Sequence, residues 1–179
     1  MLLQHNFMPL KVMVPRFGYK EPIVGVEIGV LGGVGSVSML QFLPNLTLYS
    51  IDPWRHINSI PGKSFFESEL SQHDLDENYE TAKARTMEFG KRAIIVRKTS
   101  DEAVNDVPPE IDYVFIDGDH SYDQVLRDLK NYATRVRSGG IVAGHDYINQ
   151  MGVAMAVDEY FNDKKVHLGD DDTWWTYVE

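Results

Sequence analysis

The 179-residue chain contains no cysteine. Disulfides, thiolate nucleophiles and cysteine metal knuckles are therefore excluded, and a cytoplasmic setting is the expectation. Long apolar runs are missing too: none approaches the roughly 20 residues that a spanning helix needs. The first residues, Met1-Leu2-Leu3-Gln4-His5-Asn6-Phe7, lack the basic start and apolar stretch of a signal peptide. Positive charge is scarce, with 17 Lys and Arg against 27 Asp and Glu, a formal net charge of −10. Such a chain repels nucleic acid and anionic membranes at long range, and no Lys/Arg cluster interrupts the trend along the sequence. Internal repeats, low-complexity tracts and Gly/Ser linkers are absent as well. The hydrophobic fraction of 43% is too high for a disordered chain, and the length suits one domain with a real core.

What is present is an alternation of short apolar runs and helical patterns. Residues 23–28, 46–51, 93–96, 111–116 and 141–143 are runs of the kind that form strands buried on both faces of a parallel sheet. Residues 173–178 read as a last strand, and 166–168 as a short one before it. Helical patterns cover 36–43, 76–89, about 121–137 and 150–161. The third carries Val125, Leu126, Leu129, Tyr132, Ala133 and Val136 as an apolar stripe, with Ser121 and Gln124 at capping-box spacing. The alternation predicts an open, doubly wound α/β sheet that binds ligands at strand C-terminal ends, near the point where strand order reverses. Residues 1–22, with Pro9, Pro15 and Pro22, form an N-terminal segment, and 23–179 form the domain. Residues 53–75, with Trp54, His56, Phe65, Phe66 and His73, form a long connection of the type that often binds ligands. His56 is placed to touch substrate. His5, His73 and His167 read as surface residues, and Trp174 and Trp175 as sheet packing.

The first run ends in Val26-Glu27-Ile28-Gly29-Val30-Leu31-Gly32-Gly33-Val34-Gly35-Ser36. Glycines here permit a sharp turn and close approach to a ligand. No lysine follows them, so a phosphate P-loop is excluded. A G-x-G-x-x-G fingerprint would demand glycine where Leu31 and Val34 stand. Asp52 ends the second run and could accept hydrogen bonds from both ribose hydroxyls of a dinucleotide or an S-adenosyl ligand. Glu27 discriminates between these: acid suits a sulfonium and an amino group and repels a pyrophosphate.

With these features the chain resembles the class I S-adenosylmethionine-dependent methyltransferases. Glu27-Ile28-Gly29-Val30 with Gly33 resembles their first motif. Ser50-Ile51-Asp52-Pro53-Trp54 resembles the second-strand motif. Phe115-Ile116-Asp117-Gly118-Asp119-His120-Ser121-Tyr122 and Ser138-Gly139-Gly140-Ile141-Val142-Ala143-Gly144-His145-Asp146-Tyr147 resemble one branch. That branch comprises the macrocin- and novobiocin-type sugar O-methyltransferases and the cephalosporin-hydroxylase-like proteins. The resemblance implies a Rossmann-like, mostly parallel seven-stranded sheet with an antiparallel C-terminal strand. It implies S-adenosylmethionine as cofactor, a small-molecule acceptor and a homo-oligomer, and it places Thr99, Ser100 and Asp101 near the adenine. Asp117 and Ser36 join Glu27, Gly29, Gly33 and Asp52 as cofactor-binding candidates. Ser36 stands one place beyond the serine usual in the branch.

Asp117 and Asp119 follow the fourth run, and His145 and Asp146 follow the fifth. In the expected sheet these strand ends are neighbours about 4.8 Å apart. Asp117, His145 and Asp146 could therefore share one small ion, with Mg²⁺ or Mn²⁺ the best match to hard oxygen ligands. In the branch the matching positions are metal ligands, usually all acidic; here the middle one is His145. The resemblance makes Asp119 the general base, and His120 is a second candidate. The competing functions are a non-catalytic S-adenosyl-binding module and a nicotinamide-binding oxidoreductase.

Overall fold

A computed structural model describes residues 8–56, 70–162 and 164–179. His5, Phe65 and Phe66 lie outside the described residues. The elements run α1 (Met8–Phe17), β1 (Ile23–Ile28), α2 (Val34–Phe42), β2 (Leu46–Ile51), α3 (Gln72–Thr86), β3 (Ala93–Val96), α4 (Ser100–Ala103), β4 (Ile111–Ile116), α5 (Tyr122–Tyr132), β5 (Val136–Gly144), α6 (Met151–Phe161), β6 (His167–Leu168) and β7 (Trp174–Tyr177). They build a seven-stranded sheet of order β3-β2-β1-β4-β5-β7-β6. The pairs from β3 through β5 are parallel, and β7 runs antiparallel to β5. This is the Rossmann-like sheet with an antiparallel C-terminal strand that the sequence leads one to expect. No helix among the described residues is long and apolar enough to cross a membrane.

The strands are apolar on both sides because both sides are covered. In β4, Tyr113 and Phe115 face a core shared with Leu10, Met13 and Leu40, while Val114 and Ile116 face one shared with Leu129, Val157 and Trp174. Period-2 alternation thus feeds two layers, which is why the segment reads as an unbroken apolar run.

The larger departures from the sequence reading each have a local reason. The helix expected to reach residue 137 stops at Tyr132, and Val136 opens β5, which runs to Gly144. Val136 is buried in the same core as the helix stripe, so apolar periodicity alone could not separate it. Arg137 leaves the helix terminus and pairs with buried Asp112. The helix expected over 76–89 starts at Gln72 instead, because Ser71 and Asp74 form a reciprocal capping box, and it gives way to a 3₁₀ turn at Met87. Residues 72–75 of the expected long connection are therefore helical. Finally, residues 8–17 form α1, with Pro9 in its first turn, where a missing N–H costs nothing. Leu10 and Met13 anchor it in the core.

Candidate active site

Strand order reverses at β1, which lies between β2 and β4. Beyond that line of strand ends, the first residue past each strand is held in one row by the backbone. Asp52 N donates to Val96 O (3.2 Å), Gly29 N to Ile51 O (2.9 Å), Asp117 N to Ile28 O (2.8 Å) and His145 N to Ile116 O (3.1 Å). Four residues singled out by the sequence thus stand side by side on one edge of the sheet.

The glycine turn is fastened from beneath. Gly29 has φ +86°, and a Cβ there would fall 2.0 Å from the carbonyl oxygen of Asp117. Asp52 is buried. Its Oδ2 accepts from Val30 N (2.9 Å) and Leu31 N (3.0 Å), and its Oδ1 accepts from Trp54 N (2.8 Å). A carboxylate has about four acceptor positions, and three of them are spent on the turn. Trp54 is itself fully buried against Val30 and Ala82, and its Nε1 donates to Leu31 O (2.8 Å). It locks the turn that Asp52 shapes. Gly33, at φ +78°, opens α2.

Glu27 lies under the turn, 3% exposed, and accepts from Ser36 Oγ and, at 3.4 Å, from Ser50 Oγ. Burial pushes its carboxyl up to about 8; Asp117 and Asp52 push the same way, and the two serines oppose them. The sequence reading wanted an ionised acid meeting the cofactor's cation. In the structure Ser36 and Ser50 close over the carboxyl, burial favours its protonated form, and it braces Ser36 from α2 against β2. Asp128, buried on α5, behaves alike, and burial raises it to about 7. Both groups bind a proton more tightly folded than unfolded, where ordinary values of 4.5 and 3.8 apply. Their stabilising contribution is therefore complete below about pH 4 and is lost as pH rises to about 8. Glu27→Gln is expected to remove Glu27's share. Thermal melts from pH 5 to 8 should fall less steeply in the variant than in the parent, and parallel curves would contradict the assignment.

Thr99, Ser100 and Asp101 are engaged within the fold. Thr99 caps α4 in a reciprocal pair with Glu102. Ser100 Oγ receives Gln124 Nε2 (3.1 Å), and its carbonyl receives the Tyr132 hydroxyl (2.6 Å). Asp101 turns towards α5 and accepts from Asn131 (3.0 Å). The Gln124 side chain is thereby drawn off, so Ser121 caps α5 without the reciprocal half of a capping box. Beside this segment opens a cleft of about 500 Å³ lined by Pro53, Arg55, Arg97, Lys98 and Glu102. Of these, Arg55 is the one that no motif of the sequence singles out. Folding brings Arg55 next to Arg97 and Lys98, a basic cluster that no stretch of sequence displays. Each cation is met by an acid: Arg55 by Glu102 (3.0 Å), Arg97 by Asp76, and Lys98 by Asp106 (2.6 Å).

At the ends of β4 and β5 the expected residues lie near one another, but the group whose ligand atoms all fall within 4.8 Å of each other is Asp117, His120 and Asp146, with His120 in place of His145. His145 Nδ1 lies 3.4 Å from Asp146 Oδ2 and 3.9 Å from Asp117 Oδ1. Its Nε2 stands 2.7 Å from the carbonyl oxygen of Asp171. A carbonyl only accepts, so Nε2 carries a hydrogen, and in the neutral ring the lone pair is on Nδ1, facing the acids. His120 Nε2 lies 3.0 Å from Asp146 Oδ2 and 3.8 Å from Asp117 Oδ1. That nitrogen is buried and has no aligned hydrogen bond. For both imidazoles burial is the largest single influence and lowers the pKa, but Asp117 and Asp146 together outweigh it and the net shift is upward. Asp119 points its Oδ1 at Ser121 N (2.7 Å) and so orders the turn before α5. The loop after β5 is gripped by the turn before β7: buried Asp172 accepts from Ile148 N and from Asn149 N (3.2 Å) and Nδ2 (2.6 Å). His56 is exposed beyond the strand ends.

A glycine turn at the reversal point, a buried acid shaping it and an acid–imidazole cluster at the next two strand ends coincide with a family match. Residues 26–147 match the model of a methyltransferase domain. The chain belongs to that family. Its methyltransferase domain spans every residue of the row and the cluster, from Glu27 to Asp146. The chain is 32% identical over 133 residues to uncharacterized protein R132 of Acanthamoeba polyphaga mimivirus, a match covering 72% of this chain and 53% of that protein. It thus spans about half the length of that curated relative. Among solved structures, the methyltransferase fold superposes on CalS11, a calicheamicin methyltransferase, with a TM-score of 0.66 at 16% identity over 95% of this chain and 76% of that one. The O-methyltransferase NovP gives 0.64 at 18% identity over 94% and 76%. A precorrin-6y C5,15-methyltransferase from Geobacter metallireducens gives 0.66 at 14% over 99% and 92%.

Proposed function

We propose that the chain is an S-adenosylmethionine-dependent O-methyltransferase acting on a hydroxyl of a small molecule with the help of a divalent ion. Residues 23–179 would form the cofactor-binding unit on which α1 docks. One observation carries the reading: the glycine turn and the Asp117/His145/Asp146 cluster stand side by side, with Gly29 packed on the Asp117 backbone. A cofactor laid over Gly29–Gly33 therefore has its reactive end beside the cluster, and the CalS11 and NovP likenesses favour oxygen as the acceptor atom. The cleft at Pro53, Arg55, Arg97 and Lys98 suits the adenine, and Asp52 offers one acceptor to the ribose.

The donor set fits a divalent ion. Asp117 and Asp146 bring two carboxylates to one point, and His145 presents an imidazole lone pair whose outer N–H is already satisfied by Asp171, the arrangement usual for a metal-bound histidine. Such an ion lowers the pKa of a bound hydroxyl and fixes its direction. Asp119 is the base in this reading: Oδ1 holds the turn, which leaves Oδ2 to take the acceptor's proton. The proton goes to the carboxylate, the oxygen–carbon bond forms, and the carbon–sulfur electron pair stays with sulfur.

Calorimetry with S-adenosylmethionine and with NAD tests the cofactor half. Only the first is expected to bind, and Asp52→Ala should weaken it by about 1.5–3 kcal/mol, the scale of a hydrogen bond to a charged group. Preference for NAD, or unchanged affinity in a folded Asp52→Ala protein, would contradict the reading.

A further inference from the structure

We infer that Leu31 is a ligand contact: its side chain forms an apolar wall against the ribose and the carbon–sulfur stretch of the S-adenosyl ligand, and the glycine turn is strained to hold it there. The inference rests on the S-adenosyl reading above and gives that site a residue that the glycine pattern skips. Leu31 has φ +49°, in the left-handed region. That backbone is costly for a leucine, and glycine or asparagine would occupy it far more readily.

The fold enforces the conformation from several sides. Leu31 N donates to Asp52 Oδ2 (3.0 Å), and Leu31 O accepts from Trp54 Nε1 (2.8 Å). Trp54 is itself left-handed at φ +41°, fully buried, and donates its own N–H to the other oxygen of Asp52 (2.8 Å). Further along the turn, Arg85 donates to Gly32 O (2.7 Å) and Gly33 N to Val30 O (2.8 Å). With both backbone groups of Leu31 tied into the fold, its side chain stands clear of the turn. No packing is gained in return. Val30 is buried with Trp54 and Ala82, whereas Leu31 is 44% exposed and belongs to none of the apolar cores. A single exposed leucine is ordinary; one fixed on a strained backbone is the arrangement of a ligand clamp.

Position decides the occupant. Leu31 is bonded to Asp52, the residue assigned to the ribose, and follows Gly29, which packs on the Asp117 backbone at the reactive end. Between the ribose and the amino-acid end, an S-adenosyl ligand consists of carbon and sulfur, and such a stretch gains from an apolar neighbour. Val34, 52% exposed at the start of α2, offers a second apolar side chain beyond Gly32 and Gly33. A glycine at position 31 would suit the backbone better and would leave that stretch of the ligand uncovered.

The test compares the parent with Leu31→Gly, Leu31→Asn and Leu31→Met, by thermal melting without ligand and by calorimetry with S-adenosylhomocysteine. Glycine and asparagine accept a left-handed backbone. Both variants are therefore expected to melt at or above the parent temperature while binding the probe about 5–30-fold more weakly, the scale of a partly buried leucine. Leu31→Met keeps an apolar side chain and should bind within about threefold of the parent. A residue that served the fold alone would move stability and affinity down together. Parent-level affinity in Leu31→Gly and Leu31→Asn, a melting temperature that falls in step with affinity, or an equal loss of affinity in all three variants would overturn the inference and leave the S-adenosyl reading standing. Failure of the parent to bind S-adenosylhomocysteine would overturn both.

Discussion

Gly29→Ala is expected to lower the midpoint of thermal unfolding by about 10 °C, whereas Gly18→Ala lowers it by only a few degrees. Both glycines have positive φ, +86° at Gly29 and +61° at Gly18. A left-handed backbone costs alanine about 1–2 kcal/mol at either site. The sites differ in space. Nothing lies within 4 Å of a Cβ at Gly18, while at Gly29 the Asp117 carbonyl oxygen would be 2.0 Å away and its carbon 2.5 Å away. Those atoms are backbone at a strand end, so relief requires β1 and β4 to part. Overpacking of that kind adds about 1–3 kcal/mol, and a chain of this size loses about 2–4 °C per kcal/mol. Because Asp117 moves with the strand end, surviving Gly29→Ala protein should also bind cofactor and metal poorly. Equal melting shifts for the two variants would show that the contact between the turn and Asp117 is slack.

Asp119→Asn is expected to cut turnover by about 10²–10⁴-fold, the usual worth of a positioned base, with cofactor and metal affinity kept. The substitution is clean because the proposed mechanism gives Asp119 two separable duties, one on each carboxylate oxygen. Its Oδ1 accepts from Ser121 N at 2.7 Å, and an asparagine oxygen can do the same. What the amide cannot do is take a proton. A turn that stays ordered while turnover collapses identifies the base. Full turnover in the variant would mean that Asp119 only organises the turn before α5.

The parts of this molecule legible in the sequence are those whose cause is local. β1, β2, β3 and β4 match the apolar runs at 23–28, 46–51, 93–96 and 111–116, because burial on both faces writes itself as a continuous run. Asp52 and Asp117 could be picked out because each directly follows such a run, and His145 and Asp146 because they lie just past another. The rest depends on partners distant in sequence. Asp52 reads as a ribose ligand, but its three backbone partners appear only once the turn and Trp54 fold around it. Glu27 reads as an open acid, but Ser36 and Ser50 close over it from α2 and β2. His120 stands beside Asp117 and Asp146 in a turn on which Gly152 of another helix packs, and His145 is oriented by the Asp171 carbonyl from the turn before β7. Arg55 meets Lys98 and Arg97 across more than forty positions, so no charge count along the chain could find them.

The central claim is that this fold moves a methyl group from S-adenosylmethionine to a hydroxyl beside Asp117. The most direct measurement incubates metal-loaded protein with methyl-tritiated S-adenosylmethionine and a panel of small hydroxylated acceptors, following label in product and S-adenosylhomocysteine in parallel. The account predicts label on an acceptor oxygen, equal release of S-adenosylhomocysteine, and loss of both after EDTA with recovery on returning the metal. Tight cofactor binding without transfer to any member of the panel, or full transfer by stripped protein, would contradict it.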